Sequence, residues 1–317
     1  LKVSLAFPGQ GSQYIGMCRD LMKHSKIAAR IFEEANDALE FDIKSLILNG
    51  NLEELTLSEN AQPAVVTASY ALFRDFEAQT GIQPYCALGH SLGEISAIIA
   101  AGGLSFTDGI RYVRKRGKLM HQAMQENKGR AGIVVDMHAS ALTSIVESIN
   151  KEEYLSISGY NSPNQFIVAG NANALLKVDA EVHKNGGEFI PFRMMPMKAD
   201  APYHTSLMSF LESEVKEIVH HLKLNHLHFS IYSTVTGQKI ETKERIPDIL
   251  TNQLVQPVLW NQAITEIAHS GADLFIDIGP QQIVKNFINE NKKAANCLAY
   301  DNDANKEEIM KYAIQQA

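Results

Sequence analysis

The sequence predicts an α/β fold with a largely parallel sheet and a compact βαββαβ unit inserted into it. Three observations carry this. Short apolar runs alternate with amphipathic stretches along most of the chain, the pattern of strands joined by helices. Glycine-rich turns follow two of those runs directly. The segment from about residue 129 to 193 has its own order, strand-helix-strand-strand-helix-strand, which is that of a ferredoxin-like unit. With 317 residues, 45% of them hydrophobic, the chain is long enough to bury a large core.

The elements follow in order. Lys2 to Phe7 reads as a buried strand, closed by Pro8-Gly9-Gln10-Gly11-Ser12-Gln13, a turn whose backbone N–H groups face one side, where an anion fits. Helical spacing runs through Ile27–Leu39 and Pro63–Ala78. Tyr85-Cys86-Ala87-Leu88 is a second buried strand. Gly89-His90-Ser91-Leu92-Gly93 follows at once, then a small-residue helix to Ala101 that Gly102-Gly103 stops. A helix covers Thr107 to about Met124.

The inserted unit reads as strand Ile133–Met137, helix Ser140–Asn150, strands Tyr154–Gly159 and Gln165–Ala169 around an Asn-Ser-Pro turn, helix Ala172–Lys184 and strand Glu188–Phe192. Beyond it come a helix from Thr205 to His221, strands Phe229–Ser233 and Leu274–Ile278, and helices Asp248–Val255, Asn261–Ser270, Gln281–Asn289 and Lys306–Gln315. The expected division is a core of residues 1–128 and 198–317 with a small subdomain at 129–197.

Composition excludes several function classes. The formal net charge of −7 argues against a nucleic-acid binder working through overall charge. An acidic partner would need a local basic patch. Cys18, Cys86 and Cys297 are odd in number and scattered, so neither a disulfide framework nor a cysteine metal site is expected, and a reducing, cytoplasmic setting is. No apolar run reaches the length of a membrane span, and no signal peptide is evident.

Gly89-x-Ser91-x-Gly93 between a strand and a helix has the context of a nucleophile elbow. The serine sits on a tight turn, so flanking glycines remove Cβ atoms that would clash. Its hydroxyl is presented at a helix N-terminus, where developing negative charge is favoured. The serine needs a base, and eleven histidines are available. His90 adjoins Ser91, but neighbours on an elbow point apart, so it lines the pocket instead. His220, His221, His226 and His228 cluster, and His226 and His228 would share a strand face. No carboxylate completes a metal set there, and no metal site is expected. His24, His121, His138, His183 and His269 fall on polar faces or loops. His204 leads the remaining candidates because its loop, Ala201-Pro202-Tyr203-His204, directly precedes a helix and follows the insertion.

Taken together, Phe7-Pro8-Gly9-Gln10-Gly11-Ser12-Gln13, Gly89-His90-Ser91-Leu92-Gly93-Glu94, Arg116-Gly117-Lys118-x-Met120, Tyr160-Asn161-Ser162-Pro163, His204 and Gln253-x-x-x-Pro257-Val258-x-Trp260, in that order, resemble the malonyl-CoA:acyl-carrier-protein transacylase family of fatty acid and polyketide synthesis. The resemblance covers almost the whole chain. It implies an α/β-hydrolase-like core with a ferredoxin-like insertion. It implies Ser91 as nucleophile, His204 as general base, the backbone N–H groups of Gln10 and Leu92 as oxyanion hole, and a main-chain carbonyl of the Gln253 segment as support for the histidine. Gln62 and Asn161 match positions near the pocket, although Asn161 reads equally well as a turn residue.

Arg116 by itself reads as one member of a solvated basic run with Arg111, Arg114, Lys115 and Lys118. The resemblance instead makes it a bidentate clamp for a malonyl carboxylate. The implied substrate is malonyl-CoA, with no cofactor. The implied partners are an acyl carrier protein and other polyketide synthase components, without nucleic acid or membrane, and the basic run is a candidate docking patch. The family's bulky Met is replaced by Ala131 in Gly129-Arg130-Ala131-Gly132, which implies a roomier acyl pocket; His121 replaces the usual Gln. An acyl hydrolase using the same Ser91–His204 pair is the alternative, and it has no need of a carboxylate clamp.

Overall fold

The computed structural model describes residues 1–195 and 200–316. Its strands are β1 (Val3–Phe7), β2 (Cys86–Gly89), β3 (Arg130–Val135), β4 (Leu155–Ser162), β5 (Gln165–Gly170), β6 (Glu188–Pro191), β7 (Ser230–Tyr232), β8 (Lys239–Ile240), β9 (Leu274–Asp277) and β10 (Cys297–Ala299). The helices are α1 (Arg19–His24), α2 (Lys26–Leu39), α3 (Ile43–Asn49), α4 (Leu52–Leu55), α5 (Ser58–Thr80), α6 (Leu92–Ala100), α7 (Phe106–Glu126), α8 (Ala139–Ile149), α9 (Ala172–Lys184), α10 (Glu212–His220), α11 (Ile246–Asn252), α12 (Trp260–His269), α13 (Ile283–Glu290) and α14 (Asp303–Gln316).

Two sheets result. The larger has the order β10-β9-β1-β2-β7-β8, parallel except for β8. Its central strand β1 is fully buried at every residue, as a parallel strand covered by helices on both faces must be. The smaller sheet, β4-β5-β3-β6, is antiparallel throughout. Within the inserted unit that is second-third-first-fourth, the ferredoxin-like order expected from the sequence. Its core of Val134, Leu142, Phe166, Val168 and Val178 is separate from the main one. The small sheet is tied to the segment before α12 where Tyr160 N–H donates to Val258 O and Val258 N–H donates to Ser158 O, each at 2.9 Å. The expected boundary at 197/198 lies outside the described residues.

Several boundaries differ from expectation, each for a tertiary reason. The helix expected from Pro63 begins at Ser58, because Ser58–Gln62 packs under α7: a Cβ on Gly117 would stand 2.4 Å from Ser58 O. The helix expected from Thr205 opens as a 3-10 turn, Ser206–Leu211, before α10. Asn161 and Ser162 belong to β4 rather than to a turn, because Ser162 pairs with Gln165 and leaves only Pro163-Asn164 outside the ladder. The strand expected at Ile133–Met137 is β3, which begins three residues earlier through pairing of Arg130, Ala131 and Gly132 with β5 and ends at Val135. The short strands β8 and β10 and helices α1, α3 and α4 have too few residues to show a period.

Candidate active site

The β2–α6 connection carries Ser91 at φ 51° and ψ −109°, a backbone conformation costly for a residue with a Cβ. The surrounding chain enforces it. A Cβ on Gly89 would lie 1.9 Å from Gly93 C, and one on Gly93 would lie 2.1 Å from Phe7 O. Both glycines are therefore obligatory, the steric reason expected of an elbow. Leu92 opens α6, so its amide is one of the helix's free N–H groups.

Ser91 Oγ lies 2.8 Å from His204 Nε2. His204 also has a left-handed backbone, φ 63°, and its own N–H donates to Leu254 O at 2.8 Å. Its Nδ1 is 2.6 Å from the carbonyl of Gln253, just after α11. A carbonyl can only accept, so Nδ1 carries the hydrogen and Nε2 presents its lone pair to the serine hydroxyl. Burial, with the positive charge of Arg116 added, pushes the imidazole pKa down to about 3. The His204 imidazole is thus held neutral, and no carboxylate pairs with it among the described residues.

Arg116 overturns the surface reading of the basic run. It is only 2% exposed, on the inner face of α7. Its Nη1 donates to Gln62 Oε1 at 2.9 Å and lies 3.1 Å from Met120 Sδ, while Nε and Nη2 have no partner among the described residues. A buried guanidinium without an anion is expensive, and desolvation lowers its pKa. Gln62, fully buried, also donates to Gln10 Oε1 at 3.3 Å and so links the arginine to the glycine-rich turn. The rest of the run is divided. Arg111 donates to Ala38 O, Arg114 lies over the Phe41 ring, and Lys115 and Lys118 are exposed.

His90 turns away from the dyad, as expected, and its Nε2 is 2.7 Å from Asn161 Oδ1. Asn161, 2% exposed, donates in turn to Gln165 Oε1. Asn161 is thus a β4 residue that holds the His90 ring, not a turn residue. A cavity of about 90 Å³ opens at the serine, lined by Gln10, His90, Ser91, Met120, Ala131, Ser158, Ile167, Phe192, Ala201, Tyr203 and His204. It joins side chains from the connections after β1 and β2 to side chains of the small sheet. Ala131 lies on its wall, as expected, and Arg116 stands behind Met120. The cluster at His220–His228 corrects a further expectation: His226 and His228 are in no strand and both are exposed. No group of residues suited to a metal occurs among the described residues.

Two residues escaped the sequence reading. Glu94 is fully buried behind Ser91, and Thr234 bonds it. A signal was present for the first: Glu94 is the single charged residue in the helix Leu92–Ala100. Nothing local marks Thr234, which reaches the site only through the β2–β7 pairing.

Residues 5–312 match the family model described as acyl transferase domain. The chain is 33% identical over 315 residues, 99% of its length and 96% of the relative's, to a malonyl CoA-acyl carrier protein transacylase of Bacillus subtilis. It is 31% identical over 281 residues to the Escherichia coli protein of the same name, covering 89% of this chain and 90% of that one. Among solved structures, the malonyl CoA-acyl carrier protein transacylase of Clostridium perfringens superposes with a TM-score of 0.92 at 28% identity, covering 100% of this chain and 98% of that one. A complex of a type II polyketide synthase acyl-carrier protein with its malonyl-transacylase matches with a TM-score of 0.92 at 27% identity, over 98% of this chain and 100% of the other.

Proposed function

The chain belongs to the acyl transferase domain family, and on that premise we propose that it moves a malonyl group from coenzyme A to the phosphopantetheine thiol of an acyl carrier protein, in fatty acid or polyketide biosynthesis. The observation that carries the substrate choice is Arg116, a buried guanidinium with two nitrogens unpartnered among the described residues. A malonyl carboxylate supplies the missing anion, and the flexible Met120 side chain in front of it can give way. A simple acyl chain, or a hydrolase acting on one, would leave that charge unpaired.

The chemistry runs in two halves. Ser91 Oγ attacks the thioester carbonyl of malonyl-CoA while its proton passes to His204 Nε2. The negative charge that develops on the carbonyl oxygen is met by the backbone N–H groups of Gln10 and Leu92. Collapse breaks the C–S bond, and the imidazolium returns its proton to the coenzyme A thiolate. In the second half the carrier's thiol gives its proton to His204 and attacks the malonyl ester, and Ser91 leaves with that proton. The Gln253 carbonyl holds the imidazole and stabilises its charged form at each turn. Gln62 aims Arg116; His90 lines the pocket wall, and Asn161 holds its ring.

No step requires a cofactor. We assign the catalytic core to residues 1–128 and 198–317 and the smaller subdomain to 129–197, in keeping with the two sheets. A cytoplasmic setting is in keeping with three buried, unpaired cysteines; no described helix is long and apolar enough to cross a membrane. Labelled malonyl-CoA should label the wild-type protein and not Ser91→Ala. Label retained by Ser91→Ala would refute the acyl-serine route. Arg116→Ala should lose its preference for malonyl over acetyl groups in the same assay.

A further inference from the structure

Glu94 has no part in the chemistry above, yet it is fully buried within the first turn of the helix that presents Ser91. Its Oε2 lies 3.1 Å from Thr234 Oγ1 and 3.3 Å from Gln253 Nε2. Both partners also hold the elbow. Thr234 Oγ1 is 3.0 Å from Gly89 O, and Gln253 Nε2 is 2.9 Å from Ser91 O. The same Gln253 supplies the carbonyl that orients His204. Three side chains thus connect the strained backbone of the nucleophile to the support of its base.

Counting hydrogens ties the state of the carboxyl to its contact with Thr234. Gln253 Nε2 has two hydrogens, one for Ser91 O and one for Glu94 Oε2. Thr234 has one, and its two neighbours are Gly89 O, which can only accept, and Glu94 Oε2. If Thr234 donates to Gly89 O, its contact with Glu94 is a hydrogen bond only when the carboxyl donates, which requires the neutral acid. Burial acts in the same direction, pushing the pKa of Glu94 up to about 7.

We propose that Glu94, held as the neutral acid, is a positioning residue that clamps the Ser91 elbow to the Gln253 carbonyl through Thr234 and Gln253, keeping nucleophile and base in register. This rests on the acyl-transfer reading of the Ser91–His204 pair. The strain at Ser91 makes such a clamp necessary: a left-handed serine relaxes unless its flanking carbonyls are held.

The test compares wild type, Glu94→Leu, Glu94→Gln and Thr234→Val. Leucine fills the same volume without the hydrogen bonds, so Glu94→Leu should keep its melting temperature. It should acylate Ser91 from malonyl-CoA about 100-fold more slowly with little change in KM, the signature of a misplaced reacting group. Glu94→Gln, a neutral isostere that still accepts from Gln253, should recover most of that loss. Thr234→Val should be non-additive with Glu94→Leu. The infrared spectrum of wild type at neutral pH should contain a protonated-carboxyl band that Glu94→Gln lacks. Wild-type acylation rates in Glu94→Leu, a loss that Glu94→Gln does not relieve, or no such band would overturn the clamp while leaving acyl transfer intact. Wild-type protein that takes up no malonyl group would bring down the acyl-transfer reading and the clamp with it.

Discussion

Two side chains define the site through their cost. Arg116 is buried with two of its three guanidinium nitrogens unsatisfied among the described residues, so its presence is a charge on stability that a ligand must relieve. Replacing it with Met should raise the melting temperature, a gain of about 1–3 kcal/mol from removing unsatisfied donors, while abolishing the malonyl preference. Thermal melts and acyl-CoA competition measure both. Excess malonyl-CoA should in turn stabilise wild type more than Arg116→Met. His204 has the opposite problem, an imidazole kept neutral by burial. Its native pKa near 3 lies below the ordinary 6.5, so between those values the unfolded chain binds a proton that the native imidazole refuses. Stability from this group therefore falls as pH drops from about 6.5 toward 3. Glu94, whose pKa is raised, acts in the opposite sense between about 4.5 and 7. Urea midpoints should accordingly drop less from pH 7 to pH 5 in His204→Leu than in wild type.

The elements are held at their closest approaches by glycine. Gly89 and Gly93 let β2, α6 and the end of β1 meet at the elbow, and Gly117 lets α7 lie on the first turn of α5. The second contact matters for function because α5 carries Gln62 and α7 carries Arg116. Gly117→Ala should force the helices apart at a cost of about 1–3 kcal/mol, lowering the melting temperature. It should also weaken malonyl selection by pulling Gln62 from the guanidinium. An alanine variant with unchanged stability and selectivity would show that the gap can close elsewhere. The elbow was legible in the sequence because its constraint is local, two glycines and a serine between a strand and a helix. The start of α5 was not: its limit is set by what α7 presses against it, and Pro63 misleads a local reading.

At the scale of the molecule the reaction chamber is a seam. Ser91 and His204 come from segments flanking the large sheet; Ala131, Ser158, Ile167 and Phe192 come from the small unit. Those four form much of the wall against which an acyl group would lie. Ala131→Met should fill much of the cavity of about 90 Å³ and depress transfer of methylmalonyl more than of malonyl. Equal losses for the two acyl-CoAs would place size selection elsewhere. The bridge from Val258 to Ser158 and Tyr160 holds the seam in register.

By itself, the sequence determined the α/β alternation and the ferredoxin-like order of the insertion, and singled out Ser91 and His204 as candidate nucleophile and base, because each is written in short-range periodicity or in an ordered string of motifs. The tertiary structure alone decided what surrounds them. It buried Arg116 out of a run that reads as solvated, and placed Asn161 in a strand against His90. It also brought Glu94 and Thr234 together across the sheet. Those outcomes depend on desolvation and on contacts between residues far apart in the chain, Gly89 with Thr234 and Ser91 with Gln253, which no local pattern encodes.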